Sequence, residues 1–256
     1  MSRGRARRAT KPIVPARASA RPVSPVRARR TVLPNGLTVV AAEMPHVHSV
    51  SLVAYVRAGS RYEDERTNGV SHFLEHMFFR GTRSYPSTHE LAFRIESLGA
   101  SFNATTTREM AYYYTELAPR HLEAGVEVLG EMFRAPLFPD VDIEREVVLE
   151  EMSDDYNEDG VLVDPDSVAK GKVWPGHPLG YPIIGVSRNV ERMSRRDLQR
   201  HHRRLYVGRN MVLAATGAGV SARSPAGMKP RCRLANATRS SKAMFPAAAS
   251  TMLRPT

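Results

Sequence analysis

His72-Phe-Leu-Glu-His76 decides the reading of this chain. On a helix turning roughly 100° per residue, His76 lies about 40° round from His72 and Glu75 about 60° to the other side. Two imidazoles and a carboxylate therefore share one helix face. Imidazoles one turn apart can bind a single zinc ion, and a catalytic zinc keeps one position for water beside three protein ligands. The carboxylate between the two imidazoles is placed to act as a base toward that water. The plainer alternative is an amphipathic helix whose histidines edge a core, since Phe73, Leu74, Met77 and Phe78 supply apolar packing.

A third ligand has to come from elsewhere, and a helix expected from about Asp140 to Tyr156 offers Glu144, Glu146, Glu150 and Glu151. Glu144 and Glu151 lie seven apart, two turns along one face. Glu146 and Glu150 point elsewhere. A face that mixes Ile143, Val147, Val148 and Met152 with two carboxylates implies partial burial. Buried carboxylates need a partner, and a metal site provides one.

Outward from the H-x-x-E-H helix, residues 31–40 read as two short strands around the Asn35-Gly36 turn, because Asn-Gly tolerates the positive φ angles of a tight hairpin. Residues 50–57 alternate as a strand. Thr88 is placed to cap a second helix that runs through Leu98 and stops at Gly99. Two strands follow, at 101–106 and at 110–117, the latter carrying Tyr112, Tyr113 and Tyr114. Leu122, Val126, Leu129 and Phe133 recur at helical spacing and mark a third helix. Residues 161–189 read as loop, punctuated by Pro165, Pro175, Pro178 and Pro182. Ser194 then caps a helix to about Tyr206, and 211–216 end the pattern as a strand. Strands cluster and helices are interspersed without a βαβ rhythm, which predicts an α+β domain with a mainly antiparallel sheet covered by helices.

The formal charge of +11 lies at the ends of the chain. Residues 1–30 carry ten Arg or Lys and residues 218–256 carry seven more, with no acid in either stretch. Removing those 17 from the 37 basic residues leaves 20 against 26 acidic ones, so residues 31–217 are net negative. That balance argues against a folded nucleic-acid-binding face. Arginine runs without interleaved aromatics also argue against stacking on bases. The organisation expected is a basic disordered tail at 1–30, a folded domain at 31–217 and a basic low-complexity tail at 218–256 that reads as truncated or frame-shifted.

Cys232 is the single cysteine, so no intrachain disulfide can form and a disulfide-stapled secreted scaffold is excluded. No apolar run approaches the roughly 18 residues of a membrane span, and no membrane partner is expected. A cytoplasmic location is the expectation. The Arg-rich, acid-free start suggests a mitochondrial or other organellar transit peptide as the alternative, although Pro12, Pro15, Pro22 and Pro25 would break its amphipathic helix.

Residues 69–82, Gly-Val-Ser-His-Phe-Leu-Glu-His-Met-Phe-Phe-Arg-Gly-Thr, resemble the zinc helix of the pitrilysin, insulin-degrading enzyme and mitochondrial processing peptidase family. They carry the inverted form of the zinc-protease motif. Residues 144–151, Glu-Arg-Glu-Val-Val-Leu-Glu-Glu, resemble that family's second signature, with Glu151 lying 75 positions after His76. The resemblance covers residues 31–217. It implies His72, His76 and Glu151 as ligands of one zinc per chain, Glu75 as the base and Glu144 as the carboxylate that supports the ligands. Residues 98–106 resemble the family's edge strand, along which a substrate peptide adds as a further strand, with Asn103 and Ala104 facing it. Residues 181–186 and 209–213 resemble the end of the family's first domain.

The resemblance implies a zinc metalloendopeptidase that hydrolyses peptides or unfolded segments, and a second domain or homologous subunit as partner. Nothing after Gly217 resembles the Arg and Tyr pair of the family's second half. The competing expectations are a non-catalytic assembly subunit and an inactive fragment. The full set of ligand types counts against the first of these.

Overall fold

A run of alternating residues pairs into a sheet only if one face can be buried, and three strands here meet that condition. In β3 (Val50–Val56), β5 (Ala111–Leu117) and β6 (Met211–Gly217), every second side chain is withdrawn from solvent. The computed structural model describes residues 26–220, and within them β1 (Arg27–Val32), β2 (Thr38–Glu43) and β4 (Ser101–Thr106) complete a six-stranded sheet. The spatial order is β1-β2-β6-β3-β5-β4. All neighbours run antiparallel except β2 and β6, which pair in parallel with Val39 opposite Leu213.

Seven α-helices accompany the sheet among the described residues: α1 (Val70–Met77), α2 (Thr88–Glu96), α3 (Leu122–Arg134), α4 (Val141–Ser153), α5 (Pro165–Val173), α6 (Ser187–Arg192) and α7 (Arg195–Leu205). The α+β class with a mostly antiparallel sheet is what is found. Leu52, Ala54, Tyr113, Leu213 and Ala215 are buried on one face of the sheet, where α3 packs against β3 and β5. Tyr55 and Tyr114, on the opposite face, remain exposed.

Phe78, just past the end of α1, is fully buried and meets Tyr206 at 4.8 Å and both Tyr113 and Phe133 at 5.4 Å between ring centroids. Edge-to-face contacts of this kind add to the apolar burial of each ring. The hydroxyls of Tyr113 and Tyr206, 2.8 Å apart, satisfy each other inside this cluster. The C-terminal end of α1 is thereby tied to the sheet, to α3 and to α7.

The folded elements depart from the sequence reading in four places. β1 begins at Arg27, so the last four residues of the stretch read as a basic tail pair with β2. Main-chain hydrogen bonds make that edge strand, while Ala28, Arg29 and Arg30 stay exposed, so no apolar alternation announces it. α5 forms inside the stretch read as loop because Pro165 occupies the first helical position. There its missing N–H costs nothing, and the Asp164 side chain accepts from Ser167 N at 2.8 Å. Ser87, not Thr88, caps α2, in a reciprocal pair with Glu90. Ile143 and Val147 are exposed, and the buried face of α4 is Glu144, Val148 and Met152. Residues 1–25 and 221–256, which hold most of the two basic stretches, lie outside the described residues. No helix among the described residues is long and apolar enough to cross a membrane.

Candidate metal centre

α1 and α4 lie against each other, and α4 turns Glu151 toward the H-x-x-E-H face of α1. His76 Nε2 is 3.2 Å from Glu151 Oε2, and His72 Nε2 is 3.6 Å from Glu151 Oε1. One donor atom from each of the three residues falls within 4.8 Å of the others. Donors bound about 2.1 Å from a tetrahedral zinc stand roughly 3.4 Å apart, so this spacing suits one shared ion. Two imidazoles and a carboxylate also form the three-ligand set of a catalytic rather than a structural zinc site. The residues present therefore fit the metal.

Glu151 is half exposed on its side chain, whereas His72 is nearly buried. The His72 and His76 imidazoles facing it at 3.6 and 3.2 Å hold the Glu151 carboxyl well below the usual carboxylate range, outweighing its partial burial. Burial by itself would lower the His76 pKa, but the Glu151 and Glu144 carboxylates on either side of the ring prevail and raise it.

Behind His76 lies a second carboxylate. His76 Nδ1 is 2.9 Å from Glu144 Oε1, and Glu144 is only 5% exposed. A carboxylate oxygen only accepts, so Nδ1 carries the proton and Nε2 is left free for a metal. Arg80 Nε sits 2.9 Å from Glu144 Oε2, as an ion pair rather than an aligned hydrogen bond, and balances the buried charge. His72 Nδ1, by contrast, is buried with no hydrogen-bond partner among the described residues.

Glu75 shares the α1 face, and Thr106 Oγ1, at the end of β4, donates a short hydrogen bond to its Oε2. Asn103 and Ala104 lie on β4, which among the described residues is the last strand of the sheet and pairs with β5 alone. Asn103 is exposed and Ala104 half-buried. The structure thus brings His72, His76 and Glu151 together, sets Glu144 behind them and runs β4 alongside α1.

Two residues that the sequence reading passed over, Arg80 and Thr106, join the group. Arg80 lies four residues after His76, one turn further along the chain, a spacing that could have pointed to it. Nothing local pointed to Thr106, since its contact spans 31 residues.

Residues 38–185 match the insulinase family, peptidase family M16. An uncharacterized zinc protease of Mycobacterium bovis is 38% identical over 208 residues, covering 80% of this chain and 46% of that protein. The mitochondrial-processing peptidase subunit beta of Rattus norvegicus is 37% identical over 190 residues, covering 73% of this chain and 38% of its own length. A crystal structure of a protease from Helicobacter pylori superposes with a TM-score of 0.71 at 20% identity, over 81% of this chain and 53% of that one. A peptidase M16 inactive domain from Pseudomonas fluorescens gives 0.67 at 19% identity, over 75% and 46% of the two chains. These two likenesses speak for the fold. The chain spans about half the length of the curated relatives it matches. With well over half of its residues matched to the family and the metal-type cluster on the matched helices, the chain belongs to the insulinase family of peptidases, M16.

Proposed function

We propose that this chain is the metal-bearing half of a zinc-dependent endopeptidase that cleaves peptides or unfolded segments. The observation that carries the reading is the convergence of His72, His76 and Glu151 donor atoms within 4.8 Å, with Glu75 on the same helix face. In this reading His72, His76 and Glu151 hold one zinc ion per chain, and Glu144 holds His76 in the tautomer that presents Nε2. Zinc bound there supplies Lewis acidity toward the scissile carbonyl and acidifies water. Glu75 accepts the proton released from water and delivers it to the leaving amine, and Thr106 Oγ1 fixes the carboxylate that does so.

The peptide lies along β4 as an added strand, past Asn103 and Ala104, because β4 ends the sheet and has main-chain groups to offer on its outer side. A second domain or a homologous subunit covers the site, excludes bulk water and completes stabilisation of the developing oxyanion. This matches a chain that spans half of its relatives. The complete ligand set favours a catalytic half over a non-catalytic assembly subunit.

The test is hydrolysis of a fluorogenic unstructured peptide, with and without an M16 second half added in trans. Chelator-sensitive cleavage that rises on adding the second half supports the reading. Cleavage that survives a chelator, or that survives Glu75→Gln undiminished, refutes it.

A further inference from the structure

α1 begins without a cap of its own. Its N-cap is Gly69, at φ 103°, which has no side chain to accept from the first helical N–H groups. A side chain is disfavoured there, since the positive φ strains any L residue and a Cβ on Gly69 would crowd Ile184 O at 3.0 Å and Gly185 Cα at 3.1 Å. The orphan donors are met from outside the helix by Glu63, a residue that follows a short turn at Ser60–Tyr62 and is 5% exposed. Its Oε2 accepts from Gly69 N at 2.8 Å and from Asn68 Nδ2 at 3.0 Å, and its Oε1 accepts from Ser71 N at 2.7 Å.

The anchorage extends to both sides. Asn68 Nδ2 also donates to Pro182 O at 3.0 Å, and Ser71 Oγ lies 3.0 Å from His201 Nε2 on α7. Ser71 immediately precedes His72, and His72 lies in the first turn of a helix only eight residues long. A short helix frays from its ends when its terminal donors lose their partners, and the first turn carries the first imidazole. His76, in the last turn, is tied separately through Glu144 and through the Phe78 cluster. The two imidazoles are thus held by different supports, and Glu63 is the support of the first.

We propose that Glu63 is a positioning residue for the metal centre, holding the first turn of α1 so that His72 presents Nε2 to the ion shared with His76 and Glu151. The inference rests on the reading of these three residues as zinc ligands. Glu63 touches neither the metal nor the substrate in this account. It acts through the main chain of Gly69 and Ser71, whose N–H groups both donate to its carboxyl oxygens.

The test measures zinc affinity by competition with a chromophoric chelator, together with the visible spectrum of the cobalt(II)-substituted chain, well below the unfolding temperature. Glu63→Ala is expected to weaken zinc binding about tenfold or more, as loss of an outer support does, and to alter the cobalt bands. Glu63→Gln keeps one acceptor oxygen and is expected to lose less. Val39→Ala, a core truncation in β2, lowers stability without touching α1 and is expected to keep both affinity and spectrum. Parent-like zinc affinity in both Glu63 variants overturns the inference, as does an equal loss in Val39→Ala. If Glu63→Ala cannot be purified, parent-like affinity in Glu63→Gln overturns it alone. A parent chain that binds no zinc overturns the ligand reading and this inference together, a result distinct from either of the others.

Discussion

His76 Nδ1 and Glu144 Oε1 stand 2.9 Å apart, and the other Glu144 oxygen faces Arg80 at the same distance. One imidazole of the candidate centre is thus oriented by a buried carboxylate that is itself balanced by a guanidinium. Glu144→Gln removes the charge, and Arg80→Ala leaves it buried and unbalanced. Both variants are expected to bind zinc about 10–100-fold more weakly than the parent, the usual cost of losing a ligand's orienting partner. Chelator competition checks this, and parent-like affinity in Glu144→Gln refutes the supporting role.

Metal content tests the ligands directly. The parent is expected to hold one zinc per chain, and His72→Ala and Glu151→Gln are each expected to lose most of it, since either removes one of three protein donors. Full occupancy in either variant on atomic-absorption analysis rules that residue out as a ligand.

Glu75→Gln separates the metal from the proton transfer. The amide is isosteric and can still accept from Thr106, but it cannot take up a proton from water. Zinc content is expected to stay at the parent level while peptide hydrolysis, measured with the second half present, falls by about a hundredfold or more. Retained activity would falsify the assignment of Glu75 as base.

Two buried histidines of α7 make stability depend on pH. Burial pushes the His202 pKa down to about 4, against a hydrogen bond to Phe133 O that raises it. Burial, with Arg204 and His202 nearby, pushes His201 down to about 3. In the unfolded chain each imidazole titrates near 6.5, so below that pH the unfolded chain binds more protons than the folded one. These two groups therefore contribute their full stability above about pH 6.5 and lose it as pH falls, by roughly 2 kcal/mol per histidine at pH 5. Urea unfolding of the metal-free chain at pH 7.5 and pH 5 measures the loss. His202→Gln, which retains a donor for Phe133 O, is expected to make the loss smaller by roughly 2 kcal/mol, and an unchanged loss contradicts the account.

Gly185 sits at φ 97°, and a Cβ there would lie 2.4 Å from Gly69 Cα at the start of α1. Gly185→Ala is expected to destabilise the chain by more than about 2 kcal/mol, because both the backbone conformation and the close approach exclude a side chain. A urea midpoint equal to that of the parent would show that the two segments can separate freely.

Much of the fold is legible from local pattern. The i, i+4, i+7, i+11 spacing in α3 and the Ser194 cap of α7 each act within a few residues of themselves, and both elements form where the pattern places them. β5 is likewise found at its run of tyrosines. α5 escaped because Pro165 and Asp164 start a helix by the same chemistry that elsewhere breaks one, and because α5 has no apolar face to announce it. The first four residues of β1 escaped because an edge strand is made by main-chain pairing, which arginine side chains neither favour nor forbid.

The sequence by itself determined the chemistry of the site: two imidazoles and a carboxylate on one face of α1, and a second helix carrying Glu144 and Glu151 on a shared side. Helical geometry requires this, since residues three, four and seven apart meet on one face whatever surrounds them. Tertiary structure alone decided which side chains close on one another. It buried Glu144 against His76, left Ile143 and Val147 in solvent, brought Thr106 to Glu75 and set Glu63 over the open end of α1. Those contacts join residues that are not neighbours on any one helix or strand, so their partners follow from how the sheet and helices pack and from no periodicity along the chain.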